Sequence, residues 1–290
     1  MLQPSLERLQ IIEWDMSGPA PVRTIDIVVT PVNSVTRLVN LAGVKTRLVQ
    51  SLSLGFEGVA GALPPGHVFS NASTVHETST AELTLALMLA SQRKIPEFVR
   101  QASSGELTPR FSTSLADRQV LVIGYGGVGR AIESRLKPFE VSIVRVARTA
   151  RTSDAGQIFA VDALNELLPT ADIVVIAVPL TENTTHLVNH NFLSCMPDRS
   201  LLVNVSRGKV VDTTALLAHA INGRLRFALD VVDPEPLPRD HPLLALDNVL
   251  ITPHVGGASS AMMPRMAQLL NTQIERMMQG QPPVNVVLRT

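Results

Sequence analysis

Two kinds of periodicity divide the chain. From residue 119 onward, short runs of apolar and β-branched residues alternate with stretches patterned at helical spacing. The apolar runs at 119–123, 141–147, 172–178, 200–205, 226–230 and 248–252 predict strands. Helices are expected near 128–137, 162–168, 189–196 and 212–222. Such alternation predicts a parallel sheet covered by helices. Before 119 the pattern is weaker. Leu9–Ile12, Ile25–Val29 and Thr46–Val49 look like short strands bounded by turn residues. A polar stretch, 71–80, leads into Ala81–Ala90, which is apolar nearly all round and predicts a buried helix. Residues 101–116 are rich in Ser, Thr, Gly and Pro and read as a linker. The segment 259–280 predicts a last helix, with Pro264 as a candidate interruption.

Length and charge narrow the class. The chain has 290 residues, enough for about two domains. Lys plus Arg and Asp plus Glu both number 25, so there is no basic excess to attract nucleic acid. The single cysteine, Cys195, excludes an internal disulfide. No leader pattern precedes the first apolar run, and no stretch approaches the ~18 apolar residues of a membrane span. A cytoplasmic protein with no membrane partner is expected. His67, His76, His186, His190, His219 and His241 show no metal-ligand spacing with Cys, Asp or Glu, so no catalytic metal is expected.

The first chemical signal is Gly124-Tyr125-Gly126-Gly127-Val128-Gly129, directly after an apolar strand and at the start of a helix. That context fits a dinucleotide cradle: the glycines allow a tight turn, close approach to a pyrophosphate and close helix–strand packing. The helix N-terminus adds free N–H groups and partial positive charge. A site selective for NAD would place an acid about 20 residues later, against the ribose 2′-hydroxyl. Here the second strand runs into Arg148-Thr149-Ala150-Arg151 instead. Guanidiniums suit a 2′-phosphate, so NADP is favoured over NAD.

Three further segments fall at the C-terminal ends of predicted strands, the edge where such sheets bind ligands. They are Val205-Ser206-Arg207-Gly208, the run from Asp230 to Pro236, and Thr252-Pro253-His254-Val255-Gly256-Gly257. They bring one polar group each: Arg207, Glu235 and His254. An arginine fork suits the carboxylate and carbonyl of a 2-oxo acid, and a histidine can give or take a proton.

With GYGGVG, VPLTENTTHLVN, NVSRGKVVD, ALDVVDPEPLPRDHPL and NVLITPHVGG in this order, the chain resembles the D-isomer-specific 2-hydroxyacid dehydrogenase family. Within it the chain is similar to glyoxylate/hydroxypyruvate reductases and phosphoglycerate dehydrogenases. The resemblance implies a Rossmann-type doubly wound α/β domain at 95–261. A smaller, shortened flavodoxin-like α/β substrate domain would comprise 1–94 and 262–290. It implies reversible hydride transfer between NAD(P)H and a small 2-oxo or D-2-hydroxy acid such as glyoxylate, hydroxypyruvate or 3-phosphoglycerate. Arg207 matches the substrate-gripping arginine, Glu235 the acid that orients the histidine, and His254 the proton donor. Leu54 and Gly55 match the loop whose N–H groups hold the substrate carboxylate. Cofactor contacts carried over include Val178, Pro179 and Thr184 after one strand, Val205 and Ser206 after the next, then Asp230, His254 and Gly256. A homodimer is also implied, with Ala81–Ala90 and the methionine-bearing last helix as candidate contacts.

The chain departs from the family at Val59, where an Asp is common, at Glu140, where a glycine is common, and in its short N-terminal domain. Two other readings stay open. One is a formate- or phosphite-type dehydrogenase, although formate dehydrogenases carry glutamine at the position of Glu235. The other is a cofactor-sensing binding protein on the same fold.

Overall fold

In the computed structural model, which describes residues 9–32 and 34–290, the chain divides into two units. One comprises the residues up to His76 together with Ala258–Thr290, and the other is Glu77–Gly257.

The smaller unit begins with β1 (Thr24–Thr30), β2 (Lys45–Ser51), the short helix α1 (Val59–Ala62) and β3 (Val68–Ser70). The larger unit continues with α2 (Glu77–Gln92), α3 (Ile95–Ser104), β4 (Gln119–Ile123), α4 (Gly127–Leu136) and β5 (Ser142–Ala147). Then come β6 (Arg151–Ser153), β7 (Gly156–Ala160), α5 (Leu164–Leu167), β8 (Ile173–Ile176), α6 (His190–Cys195) and β9 (Leu201–Asn204). It ends with α7 (Thr213–Ile221), β10 (Arg226–Leu229) and β11 (Val249–Ile251). The chain then returns to the smaller unit as α8 (Met262–Met278) and β12 (Val286–Arg289).

In the smaller unit the sheet order is β1-β2-β3-β12, parallel except for β12. Its core includes Met16, Leu38, Leu41, Val49 and Phe69. A buried amide pair ties the last helix to this sheet: Gln273 on α8 donates to Gln50 Oε1 on β2 at 2.9 Å and to the Val284 carbonyl at 2.9 Å. Gln50 in turn donates to the Asn71 carbonyl at 3.0 Å, so each buried amide is answered by another polar group.

The larger unit is built on an eight-stranded sheet, β11-β10-β9-β8-β4-β5-β7-β6, in which β6 alone runs antiparallel to its neighbour. Its strands show why the sequence lacks polar alternation here. Leu121, Ile123, Val174, Ile176 and Leu202 face one core, while Val120, Val122, Ile173, Val175 and Leu201 face the other. A strand with a core on each face must be apolar at every position. Sheet order reverses at β4, which lies between β5 and β8, and a crevice for ligands forms outside the strand ends at such a point.

Several local expectations change. Leu9–Ile12 forms no strand; Ile11 is 74% exposed, and no strand among the described residues pairs with the run. The expected linker begins later, because α3 continues to Ser104 and is closed by Gly105 at φ 75°. Pro264 does not interrupt α8: it lies in the first turn, where a missing N–H costs no helical bond. The β6–β7 hairpin, β3 and β12 are too short to show a period in sequence. The larger unit begins at Glu77, whereas the sequence reading starts its domain at 95; α2 buries Ala81, Leu85, Leu87 and Met88 within this unit, against α4 and the sheet. Among the described residues, no helix is long and apolar enough to cross a membrane.

A buried charged network braces the turn between β4 and α4. Tyr125, the second residue of the glycine run, donates its hydroxyl to Glu133 Oε2 at 2.5 Å. Arg145 on β5 holds the same carboxylate with two bonds of 2.7 Å. Burial pushes the Glu133 carboxyl up, but the bonds from Arg145 and Tyr125 outweigh it and hold the group below its ordinary range near 4.5. Burial and the adjacent carboxylate push the Tyr125 phenol up. A carboxyl group lowered in the folded state adds stability above its ordinary range and loses it as pH falls through that range. Glu133→Gln should therefore cost about 2–4 kcal/mol at neutral pH, because it leaves Arg145 buried without its partner. In urea unfolding, the gap between wild type and variant should narrow as pH drops below about 4.5. A gap that stays constant down to acid pH would remove the network from this role.

Candidate active site

The C-terminal edge of the larger sheet gathers the loops that follow β4, β5, β8, β9, β10 and β11. The first is the glycine run after β4. At Gly124, with φ 104°, a Cβ would lie 2.4 Å from the Ala177 carbonyl oxygen; at Gly129 it would lie 2.3 Å from the Gly124 carbonyl oxygen. No side chain fits at either place, so backbone packs on backbone and α4 sits close against its strand. Gly126, at the helix cap, has nothing within 4 Å of a would-be Cβ. An open, Cβ-free mouth above a helix N-terminus fits a pyrophosphate.

At the end of β5, Arg148 and Thr149 are exposed. Arg151 opens β6 and turns back, donating Nη2 to the Tyr125 carbonyl and Nη1 to the Thr149 carbonyl, both at 3.2 Å. Arg151 is thus tied to the glycine run, while Arg148 projects from the strand end. After β8 comes the turn with Val178, Pro179 and Thr184. Thr184 closes it by donating Oγ1 to the Pro179 carbonyl at 2.7 Å.

The loop after β9 carries Val205, Ser206 and Arg207. Asn204, at the last position of β9, shapes it. Its Oδ1 accepts from the Ser206 amide at 3.0 Å and hydroxyl at 2.8 Å, and its Nδ2 donates to the Arg207 carbonyl at 3.0 Å. Arg207 Nη1 donates to the Ser206 carbonyl at 2.7 Å. At Gly208 a Cβ would meet the Val232 carbonyl oxygen at 1.8 Å, so this loop lies directly on the one after β10.

Asp230 begins that next loop and is 3% exposed. Its carboxylate accepts from Thr252 Oγ1 at 2.6 Å, the Val255 amide at 2.9 Å and the Gly256 amide at 2.8 Å. Its carbonyl accepts from the His254 amide at 2.8 Å. His254 is thereby held at φ 54°, in the left-handed region, and its Nδ1 meets Glu235 Oε1 at 2.6 Å. Both side chains are nearly half exposed, at 45% and 41%, so the pair opens to solvent. With Nδ1 engaged, Nε2 is the nitrogen left to exchange a proton with a ligand.

Among the sequence-derived candidates, the structure brings Glu235 and His254 into contact and places Asp230 and Gly256 beneath them. Arg207 stands on the adjoining loop. Leu54 and Gly55 belong to the smaller unit, on the loop after β2, where the Leu54 carbonyl accepts from Asn71 Nδ2 at 2.8 Å. Asn204 and Thr252, which shape the loops, escaped the sequence reading. Their one signal was a polar residue closing an apolar strand.

Residues 85–256 match the D-isomer specific 2-hydroxyacid dehydrogenase, NAD binding domain. The chain is 34% identical over 258 residues to the glyoxylate reductase of Pyrococcus horikoshii, covering 84% of this chain and 77% of that one. It is 30% identical over 293 residues to the human glyoxylate reductase/hydroxypyruvate reductase, covering 94% and 89%. Among solved structures, the NADPH-dependent glyoxylate/hydroxypyruvate reductase of Sinorhizobium meliloti, in complex with NADP and malonate, aligns with a TM-score of 0.76. Identity is 27%, over 91% of this chain and 84% of that one.

The Asp230 anchor makes a local prediction. Asp230→Asn keeps the size but turns an amide NH2 toward groups that also donate. Hydrogen exchange at the Val255 and Gly256 amides should then quicken by about tenfold or more, while β4 exchanges as before. Unchanged protection at both amides would rule out the anchor.

Proposed function

The chain belongs to the D-isomer-specific 2-hydroxyacid dehydrogenase family, whose members are NAD(P)H-dependent oxidoreductases, and we propose that it reduces a short 2-oxo acid with NADPH. The observation that carries the reading is the 2.6 Å contact between His254 and Glu235, at the strand edge that also presents Arg207 and the glycine run. Glyoxylate and hydroxypyruvate are the favoured substrates, because the relatives of similar length bear those names.

In this reading the glycine run from Gly124 to Gly129 cradles the pyrophosphate, with the turn at Val178 to Thr184 and the Val205–Ser206 backbone lining the nicotinamide side. When bound, the dihydronicotinamide supplies the hydride that reduces the carbonyl carbon. Arg207 holds the substrate carboxylate with its fork of donors and draws charge onto the carbonyl oxygen. His254 gives its Nε2 proton to that oxygen, and Glu235 keeps the ring turned so that Nε2 faces the substrate. Asp230 acts through His254 and is a positioning residue. Arg148 and Arg151 favour a 2′-phosphate over a bare hydroxyl, and no acid stands at the end of β5 to hold the latter.

A homodimer is also part of the proposal. α2 and the buried side of α8 are engaged within their own units. α3 has no buried residue, and with the segment after it exposes Ile95, Val99, Leu107 and Phe111. An apolar surface of this kind suits a second copy of the chain.

The test is a panel of 2-oxo acids assayed with NADPH and with NADH. Turnover is expected with glyoxylate or hydroxypyruvate and a clear preference for NADPH; a preference for NADH would remove the arginine reading. His254→Ala should lose about 10²–10⁴-fold in kcat while NADPH still binds, and near-normal turnover would exclude the proton-donor role. In sedimentation, Val99→Glu should shift a wild-type dimer to monomer. A wild-type monomer, or a dimer that survives the change, would reject this surface.

A further inference from the structure

The loop that follows β2 in the smaller unit has three successive carbonyls held from one side. The Leu52 carbonyl accepts from His76 Nε2 at 2.8 Å, the Ser53 carbonyl from the Ala72 amide at 2.9 Å, and the Leu54 carbonyl from Asn71 Nδ2 at 2.8 Å. All three donors belong to the segment 71–76, which follows β3. β2 pairs with β1 as far as Ser51, so these bonds take over where the sheet ladder ends. Among the described residues the cis peptides are Asp233–Pro234 and Glu235–Pro236, so the peptide units of this loop are trans. In a trans peptide the N–H lies opposite the C=O. Holding these carbonyls therefore turns the amides of Ser53, Leu54 and Gly55 away from the segment 71–76. The Ser53 amide is taken by Ser51 Oγ at 3.0 Å. The Leu54 and Gly55 amides make no hydrogen bond among the described residues, and both residues are half-buried. Two successive amides presented in this way suit an anion such as a carboxylate.

His76 contributes to the loop through one atom. A carbonyl only accepts, so Nε2 carries the ring hydrogen. Nδ1 is buried and meets no partner among the described residues. We propose that His76 is a positioning residue for substrate binding: by fixing the Leu52 carbonyl it aims the Leu54 and Gly55 amides at the carboxylate of the 2-oxo acid. The proposal rests on the reduction argued above and on the place that the family resemblance gives Leu54 and Gly55. The Leu52 bond sets the path on which the chain leaves β2, and its release frees the next peptide units to rotate. A carboxylate is held alike before and during hydride transfer, so the effect falls on KM rather than on kcat.

The experiment follows reduction by the whole protein at saturating NADPH, with whichever of glyoxylate and hydroxypyruvate the wild type reduces faster. His76→Leu keeps most of the side-chain volume and removes the donor. KM for the 2-oxo acid is expected to rise about fivefold to tenfold, with kcat within about twofold of wild type and the Kd for NADPH unchanged. His76→Gln returns an N–H at similar reach and should bring KM back to within about twofold of wild type, a rescue that a role in packing alone would not give. In the protein without nucleotide or substrate, exchange of the Ala72 amide, which is bonded to the Ser53 carbonyl, should quicken by about fivefold in His76→Leu and return to the wild-type rate in His76→Gln. Should His76→Leu fold poorly, His76→Phe keeps a ring there without a donor and carries the same expectations. An unchanged KM, a loss confined to kcat, or a glutamine variant no better than the leucine one would overturn the proposal and leave the reduction standing. A wild-type protein that reduces no 2-oxo acid would reject the reduction itself, and the exchange of Ala72 would still decide whether His76 holds the loop.

Discussion

The buried carboxylate of Asp230 is the constraint on which the arrangement of the site depends. It takes hydrogen bonds from a hydroxyl and two amides of the 252–256 segment, while its own carbonyl takes the amide of His254. A loop leaving the edge strand of a sheet has no neighbour on its outer side, and alone it would wander. Charged acceptors strengthen each such bond to about 1.5–3 kcal/mol, enough to hold His254 in a backbone conformation that side chains rarely adopt. Glu235 then needs only the 2.6 Å reach to Nδ1 to define which ring nitrogen is free. The order of dependence runs from Asp230 to the loop, and from the loop to His254.

Close backbone contact plays the same part elsewhere on this edge. Gly208 lets the Arg207 loop rest on the Val232 carbonyl, and Gly129 lets α4 rest on the turn that Gly124 begins. At Gly208 a single methyl group would drive the two loops apart by about an ångström, and at Gly129 it would push α4 off the turn. The polar groups at this edge thus sit on backbone packed without side chains between, and such packing resists small displacements. Rigidity of this kind is what a hydride and proton transfer require, since the reacting atoms must be held to well under an ångström.

The sequence carried the larger unit well because its strands are buried on both faces. Ile173–Ile176 and Leu201–Asn204 are continuous apolar runs, apart from the terminal Asn204, and could be placed to within a residue or two. Glycine spacing, Arg207, Glu235 and His254 were legible for a related reason: each is fixed by its position after a strand. What escaped depends on partners far apart in the chain. The Glu133–Arg145–Tyr125 network joins three elements, and none of its members is unusual locally. Leu9–Ile12 has strand composition without a strand beside it, and composition alone cannot supply a neighbour. The three-residue strands β3 and β6 are made by their neighbours' edges and hold too few residues to show a period.

Two carboxylates stand at one end of this unit, and each is answered differently. Glu133 is matched by Arg145 and Tyr125, so its charge is consumed in bracing the turn. Asp230 is matched by a hydroxyl and backbone amides, so its charge is consumed in shaping the loop. Both lie behind the cradle and the loop. A sheet edge that gathers helix N-termini is attractive to any anion. Selectivity then falls to groups that read particular parts of a ligand, since general attraction to negative charge distinguishes one anion from another only weakly.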